Sequence, residues 1–205
     1  MEFSKVVQSR RSVKSYSPDF TISDEELKTI FGQVVQGPSA FNLQHWKFVV
    51  VRGDDAQERL KSVAFGQPQV ADAAAAIVVC GKLNAWKDAP KINKHLDGEL
   101  SERVNGMISG FYDGKEQLCR DEAIRSASLA AMSLMYAATD AGFATGPMIG
   151  FDPEGVSEVI GLTDEYFPVI LVVIGKQKDD PRGKEPRRPL SEVVKFNTLD
   201  GAGLD

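Results

Sequence analysis

Apolar positions along the chain fall into two periods, one helical and one of extended strands. Phe3, Val6 and Val7 follow helical spacing and predict a short first helix ending at the basic RRSVKSY segment, where Ser17-Pro18 forces extension. Ser23 with Glu26 three residues on forms a capping box, and Leu27, Ile30, Phe31 and Val34 repeat at i, i+3, i+4, i+7 until Gly37-Pro38 stops the helix. The β-branched run WKFVVV at 46–51 predicts a strand, a helix follows through Leu60, Val63 and Ala64, and AAIVVCG at 75–81 predicts a buried strand. Near the C-terminal end, Asp152-Pro153 caps a helix with Val156, Val159 and Ile160 as its buried stripe and Gly161 as its stop. FPVILVVIG at 167–175 then reads as a central strand.

Two stretches depart from that rhythm. From Glu122 to Ala141 the residues EAIRSASLAAMSLMYAATDA spread Ala, Ser, Leu and Met over nearly every face, which predicts a helix surrounded by protein on most sides and favours dimerisation around it. Between 82 and 115 the pattern is broken and polar, with Pro90, glycines, Trp86, Phe111 and Tyr112, and predicts an irregular excursion or lid. After Gly175 the chain is polar and proline-rich until PLSEVVKF, a short helix or strand. Helices and strands interleave without a regular βαβ rhythm, so the expected class is α+β.

Composition narrows the function classes. At 205 residues, 42% hydrophobic and 26% charged, the chain is ordinary for one globular domain spanning 1–205, and no apolar run approaches the ~20 residues of a membrane span. The first residues lack a secretory h-region, which points to the cytoplasm. Cys80 and Cys119 stand far apart and His45 and His95 are the only imidazoles, so neither a disulfide framework, a metal site nor a hydrolytic triad is expected. A net charge of -5 argues against nucleic acid as partner, although basic clusters sit at 10–14 and 182–188.

Those clusters carry the candidate chemistry. In an extended segment, Arg10, Ser12 and Lys14 share one face, and two cations with a hydroxyl suit a phosphate; spacing alone leaves open a solvated basic strand. Asn42 and Gln44 lie in a loop leading to a strand, and their amides can donate to and accept from a heterocycle edge, or simply make a turn. Glycines 142, 146, 150 and 155 allow close backbone approach to a flat ligand, yet their spacing does not fit G-x-G-x-x-G, so a Rossmann site is unsupported.

Taken in order, RRSVKSY, PSAFNLQHWKF, FGQPQVADAAAAIVV, GFATGPMIGFD and PRRPLSEVV resemble the FMN-dependent nitroreductase family over nearly the full chain. The resemblance implies a three-layer sandwich, a central mixed but mostly antiparallel sheet flanked by helices, with the C-terminal extension (176–205) exchanged across a homodimer. It implies that Arg10, Arg11, Ser12 and Lys14 hold the FMN phosphate with Arg187 and Arg188, and that Pro38, Ser39, Ala40, Asn42 and Gln44 of the partner subunit lie along the flavin. Pro147, Met148, Ile149 and Gly150 would run near the flavin N5, with Gln67 and Gln69 near the pyrimidine edge. Phe41, Phe111 and Tyr112 would wall the substrate pocket, although single aromatics are as readily plain core. His45 replaces the proline usual before the tryptophan, Ile149 stands where some relatives carry Glu, and Gly66 where others have Asn.

The implied activity is hydride transfer from NADH or NADPH through FMN to a small electron-poor acceptor such as a nitroaromatic or quinone, by ping-pong. It needs no protein acid, base or nucleophile, because the flavin carries the chemistry. The alternative is a flavin- or nucleotide-binding module without turnover.

Overall fold

A computed structural model describes residues 1–180 and 183–205. The elements run α1 (Phe3–Ser9), α2 (Asp24–Val34), β1 (Trp46–Val51), α3 (Asp54–Val63), α4 (Gln69–Asp72), β2 (Ala75–Lys82), α5 (Ala89–Ile92), α6 (Gly98–Tyr112), α7 (Glu116–Asp140), β3 (Ala144–Met148), α8 (Pro153–Ile160), β4 (Tyr166–Gly175) and α9 (Leu190–Val193). The strands form one sheet in the order β1-β2-β4-β3, every neighbouring pair antiparallel.

Burial on both faces explains why β2 and the second half of β4 read as unbroken apolar runs. Side chains alternate between two cores. Ile77, Val79, Val172 and Ile174 face α2 and α7, whereas Ala76, Val78, Leu171 and Val173 face α3, α4 and α8. Ala127, Ala130, Ala131 and Ala138 of α7 are wholly buried; methyl side chains let this long helix lie close to the sheet. The result is a three-layer sandwich with the sheet in the middle.

Most predicted elements are present. Ser23 N donates to Glu26 Oε2 at 2.8 Å and Glu26 N to Ser23 Oγ at 3.3 Å, which completes the capping box. Asp152 accepts from Glu154 N at the start of α8, and Gly161 closes it in the left-handed region. Four expectations change. The 82–115 segment is largely helical: along α6, Ile108 and Tyr112 point inward while Leu100, Met107 and Phe111 remain exposed, so two apolar stripes about 100° apart blur the period. No strand is expected around Gly146 and Pro147, yet they belong to edge strand β3, where a proline costs no ladder partner on the open side. The sheet is not mixed, since the parallel component shrinks to a single Ser12–Thr145 bridge among the described residues. Of the three residues expected to anchor α1, Val6 is buried, while Phe3 is exposed and meets Tyr136 edge-on at 5.6 Å.

The N-terminal segment is held against that edge. Val13 N donates to Thr145 O at 3.0 Å, Ser17 N to Lys176 O at 2.9 Å and Lys178 N to Ser15 O at 3.1 Å. Tyr16 fills the space between, buried to 1%, its hydroxyl reaching Val13 O at 3.3 Å. Room for this ribbon comes from a missing side chain: a Cβ on Gly146 would stand 2.6 Å from Val13 O and 3.0 Å from the Tyr16 hydroxyl.

Gly146→Ala is therefore expected to cost about 1–3 kcal/mol through overpacking against backbone. Gly106→Ala, in α6 with nothing within 4 Å of its Cβ, should be neutral or stabilising by up to about 1 kcal/mol. Urea unfolding of the two variants checks this contrast; equal midpoints would show that the ribbon is not tightly seated.

Candidate functional site

Because residues 15–17 pair with 176–178, the flanking residues 10–14, 179–180 and 183–187 are forced together. They enclose a cavity of about 510 Å³ lined by Arg10, Arg11, Ser12, Val13, Lys14, Ser15, Asp179, Asp180, Gly183, Lys184, Glu185 and Arg187. Burial of Val13 between exposed Ser12 and Lys14 is the period of two expected from an extended chain. Both basic clusters thus meet at one place. Arg188 is exposed and is not among the residues that line this cavity, and Arg182 falls outside the described residues.

Charge in the cavity is unbalanced. Arg10, Arg11, Lys14, Lys184 and Arg187 face Asp179, Asp180 and Glu185, a surplus of two positive charges among the described lining residues. Lys184 is held below the usual lysine range, by loss of hydration first and then by the charges of Arg11, Arg10 and Arg187. A surplus of positive charge gathered in one cavity forms a site suited to an anion. The guanidiniums do different work. Arg10 Nη1 reaches Ser12 Oγ at 3.5 Å, whereas Arg11 Nη1 turns back onto Ser9 O at 3.0 Å and Arg10 O at 3.1 Å and so caps the end of α1. Lys184, missed individually in the sequence, reaches Val7 O at 3.4 Å.

A second cluster surrounds residues 38–44. Phe41, Asn42 and Gln44 have φ of 52°, 54° and 49°, a left-handed conformation that side chains other than glycine seldom adopt. Local bonds hold them there: Asn42 N to Ser39 O at 3.0 Å, Leu43 N to Ala40 O at 3.0 Å, and Gln44 N to Ser39 Oγ at 2.9 Å. Pro38 and Ala40 complete the turn, and buried Leu43 and His45 root it. Phe41 meets Phe111 edge-on at 5.7 Å and Tyr112 at 6.0 Å, while Phe111 and Tyr112 are 4.9 Å apart. The three aromatics thus form one group with divided roles. Phe41 and Phe111 are exposed; Tyr112 is buried, its hydroxyl has no hydrogen-bond partner among the described residues, and burial followed by the charge of Glu122 pushes that phenol up to about 12.

Beneath that group lies a polar chain that no local sequence signal reveals. His45 Nδ1 is 3.3 Å from Ser126 Oγ, Ser126 donates to Glu122 Oε1 at 2.9 Å, and Glu122 pairs with Arg125. Burial drives the His45 imidazole below its ordinary range, against the pull of Glu122. The nearest hint in the sequence is the i, i+4 spacing of Glu122 and Ser126 on one helix face.

The remaining expected residues form a third group at the end of β3. Gln67 Nε2 donates to Gly150 O at 2.7 Å and Ala64 O at 3.1 Å, and Gln69 Nε2 donates to Gln67 Oε1 at 3.1 Å. These amides brace one turn against the other. Pro147 and Met148 are strand residues and Pro147 has no N–H to offer, whereas Ile149 beyond the strand is 78% exposed.

Comparison with known proteins fits this geometry. The model of the nitroreductase family matches residues 7–176. MhqN of Bacillus subtilis, named an NAD(P)H nitroreductase, is 38% identical over 95% of this chain and 98% of its own length. An Exiguobacterium sibiricum structure, named a nitroreductase and solved in complex with FMN, superposes with a TM-score of 0.90 at 28% identity, covering 96% of this chain and 98% of that one. An enone reductase of conjugated linoleic acid biosynthesis from Lactiplantibacillus plantarum is 29% identical over 88% of each chain.

The depressed His45 sets an acid limit. An unfolded chain takes up a proton at the ordinary histidine value of about 6.5, while the folded imidazole resists it, so stability is complete above that pH and falls as pH drops below it. Urea midpoints measured from pH 7.5 to 5 should decline in the native protein and flatten in His45→Asn; parallel curves would acquit His45.

Proposed function

The chain belongs to the nitroreductase family, and from that premise we propose that its two basic clusters grip the phosphate of FMN and that a small electron-poor acceptor, such as a nitroaromatic or quinone, completes turnover. The protein is an NAD(P)H-dependent flavin oxidoreductase with FMN as its cofactor. When bound, FMN supplies the hydride chemistry, taking a hydride from the nicotinamide and passing it on.

The observation that carries the phosphate assignment is the uncompensated charge of the cavity. A surplus of two positive charges matches the ≈ −1.5 to −2 of a phosphate monoester. Arg10 and Arg187 act as guanidinium forks, Ser12 and Lys14 add a hydroxyl and a point charge, and Arg11 contributes field while steadying α1. Lys184 joins them. Arg188, next to Arg187 in the chain and exposed, adds positive charge to the grip.

Other residues orient the ring. Loop 38–44 of a second subunit, with Pro38, Ser39, Ala40, Asn42 and Gln44, lies along it. The Gln67–Gly150 brace presents Gln67 and Gln69 to the pyrimidine edge and sets Met148, Ile149 and Gly150 near N5. Phe41 and Phe111 line the acceptor pocket with Tyr112 behind them, which suits a flat acceptor. Support for a homodimer comes from the C-terminal extension, where Leu190, Val193, Phe196 and Leu199 expose large apolar side chains that the same chain does not cover. Reductant and acceptor take turns over one flavin face.

Arg10→Ala and Arg187→Ala should each weaken FMN binding about tenfold to a hundredfold, the value of one charge-assisted pair of roughly 1.5–3 kcal/mol; fluorescence titration of flavin-stripped protein measures this, and unchanged affinity removes that arginine from the site. Initial rates at varied NAD(P)H and acceptor should give parallel double-reciprocal lines, and intersecting lines would exclude ping-pong.

A further inference from the structure

Loop 38–44 holds three residues in strained backbone, and its own short-range bonds account for the turn but not for its placement. Placement comes from its root. Leu43 and His45 are buried at 2% exposure each, and His45 is the junction between the loop and α7. Since the Glu122 carboxylate can only accept, the Ser126 hydroxyl proton goes to Glu122 Oε1, which leaves Ser126 Oγ to accept from His45 Nδ1–H. The network therefore places a proton on His45 Nδ1. The groups that face the imidazole are Ser126 and the charge of Glu122 from α7 and the Tyr112 ring from α6, while the backbone of His45 is tied to β2 by the Lys82 N–H, which donates to His45 O at 2.6 Å. The His45 and Tyr112 ring centroids are 6.2 Å apart, and Tyr112 in turn carries Phe41.

We propose that Glu122, Ser126 and His45 form a positioning chain that sets loop 38–44, and with it Phe41, at the correct height over the flavin, so that His45 and Ser126 determine acceptor binding without touching acceptor or cofactor. The proposal rests on the reading of 38–44 as a flavin-facing loop. It explains why a charged carboxylate is tolerated on a buried turn of α7: its oxygens are divided between Arg125, which offsets the charge, and Ser126, which transmits orientation. The phosphate cavity is lined by none of these residues, so the chain acts on the ring side of the site and leaves the phosphate grip alone.

The test uses flavin-loaded, full-length protein with para-benzoquinone as acceptor. His45→Leu and Ser126→Ala each break the chain at a different link, and both should raise the quinone KM at least about fivefold while kcat, read with FMN kept saturating, stays within about twofold. His45→Asn restores a donor near the place of Nδ1 and should return KM to within about twofold of the native value. An unchanged KM in Ser126→Ala, or His45→Asn no better than His45→Leu, overturns the proposal. If His45→Leu does not fold, Ser126→Ala and His45→Asn still decide it. Native protein that takes up no FMN would instead sink the functional reading, a result visible before any variant is made.

Discussion

The pairing of residues 12–17 with edge strand β3 and with residues 176–178 is the constraint from which the phosphate site follows. Separated by some 170 residues in sequence, Arg10 and Arg187 meet only because Val13, Ser15 and Ser17 are tied by backbone bonds to Thr145, Lys178 and Lys176. That ribbon depends on Tyr16 filling its groove and on the bare Cα of Gly146 beneath it. Clustering cations is unfavourable in itself, and the depressed Lys184 registers the cost. The sheet edge imposes it, and a dianion would relieve it.

A division of labour follows. One end of the molecule supplies charge, from side chains on an extended ribbon whose geometry the sheet fixes. The other supplies shape, from a strained loop, two exposed rings and a buried ring behind them. The strain at Phe41, Asn42 and Gln44 is maintained by local hydrogen bonds and by the buried His45–Ser126–Glu122 chain, as is common where binding geometry is paid for by surrounding structure. A family in which the flavin performs the reaction needs little else from its protein than grip and placement.

Much of this was legible in the chain itself. Capping residues and apolar periods located α2, α8 and the strands at 46–51, 75–81 and 167–175, since those signals are local. The alternation of Arg10, Ser12 and Lys14 was legible for the same reason. Strand β3 was hidden because Gly146 and Pro147 read as loop residues, yet an edge position tolerates both and the ribbon requires the first. Helix α6 was hidden because it buries one apolar stripe and exposes another, which cancels its periodicity. The junction of Glu122, Ser126 and His45 joins positions 81 residues apart, and no pattern along the chain marks it.

The central claim is that the two clusters of cations recognise a phosphate. Its most direct test is to titrate flavin-stripped protein with FMN and with riboflavin, which share the isoalloxazine ring and differ only in the phosphate. Two or more charge-assisted contacts predict that FMN binds at least about a hundredfold more tightly, with a preference that shrinks as salt is raised. Equal affinity for the two flavins would contradict the account.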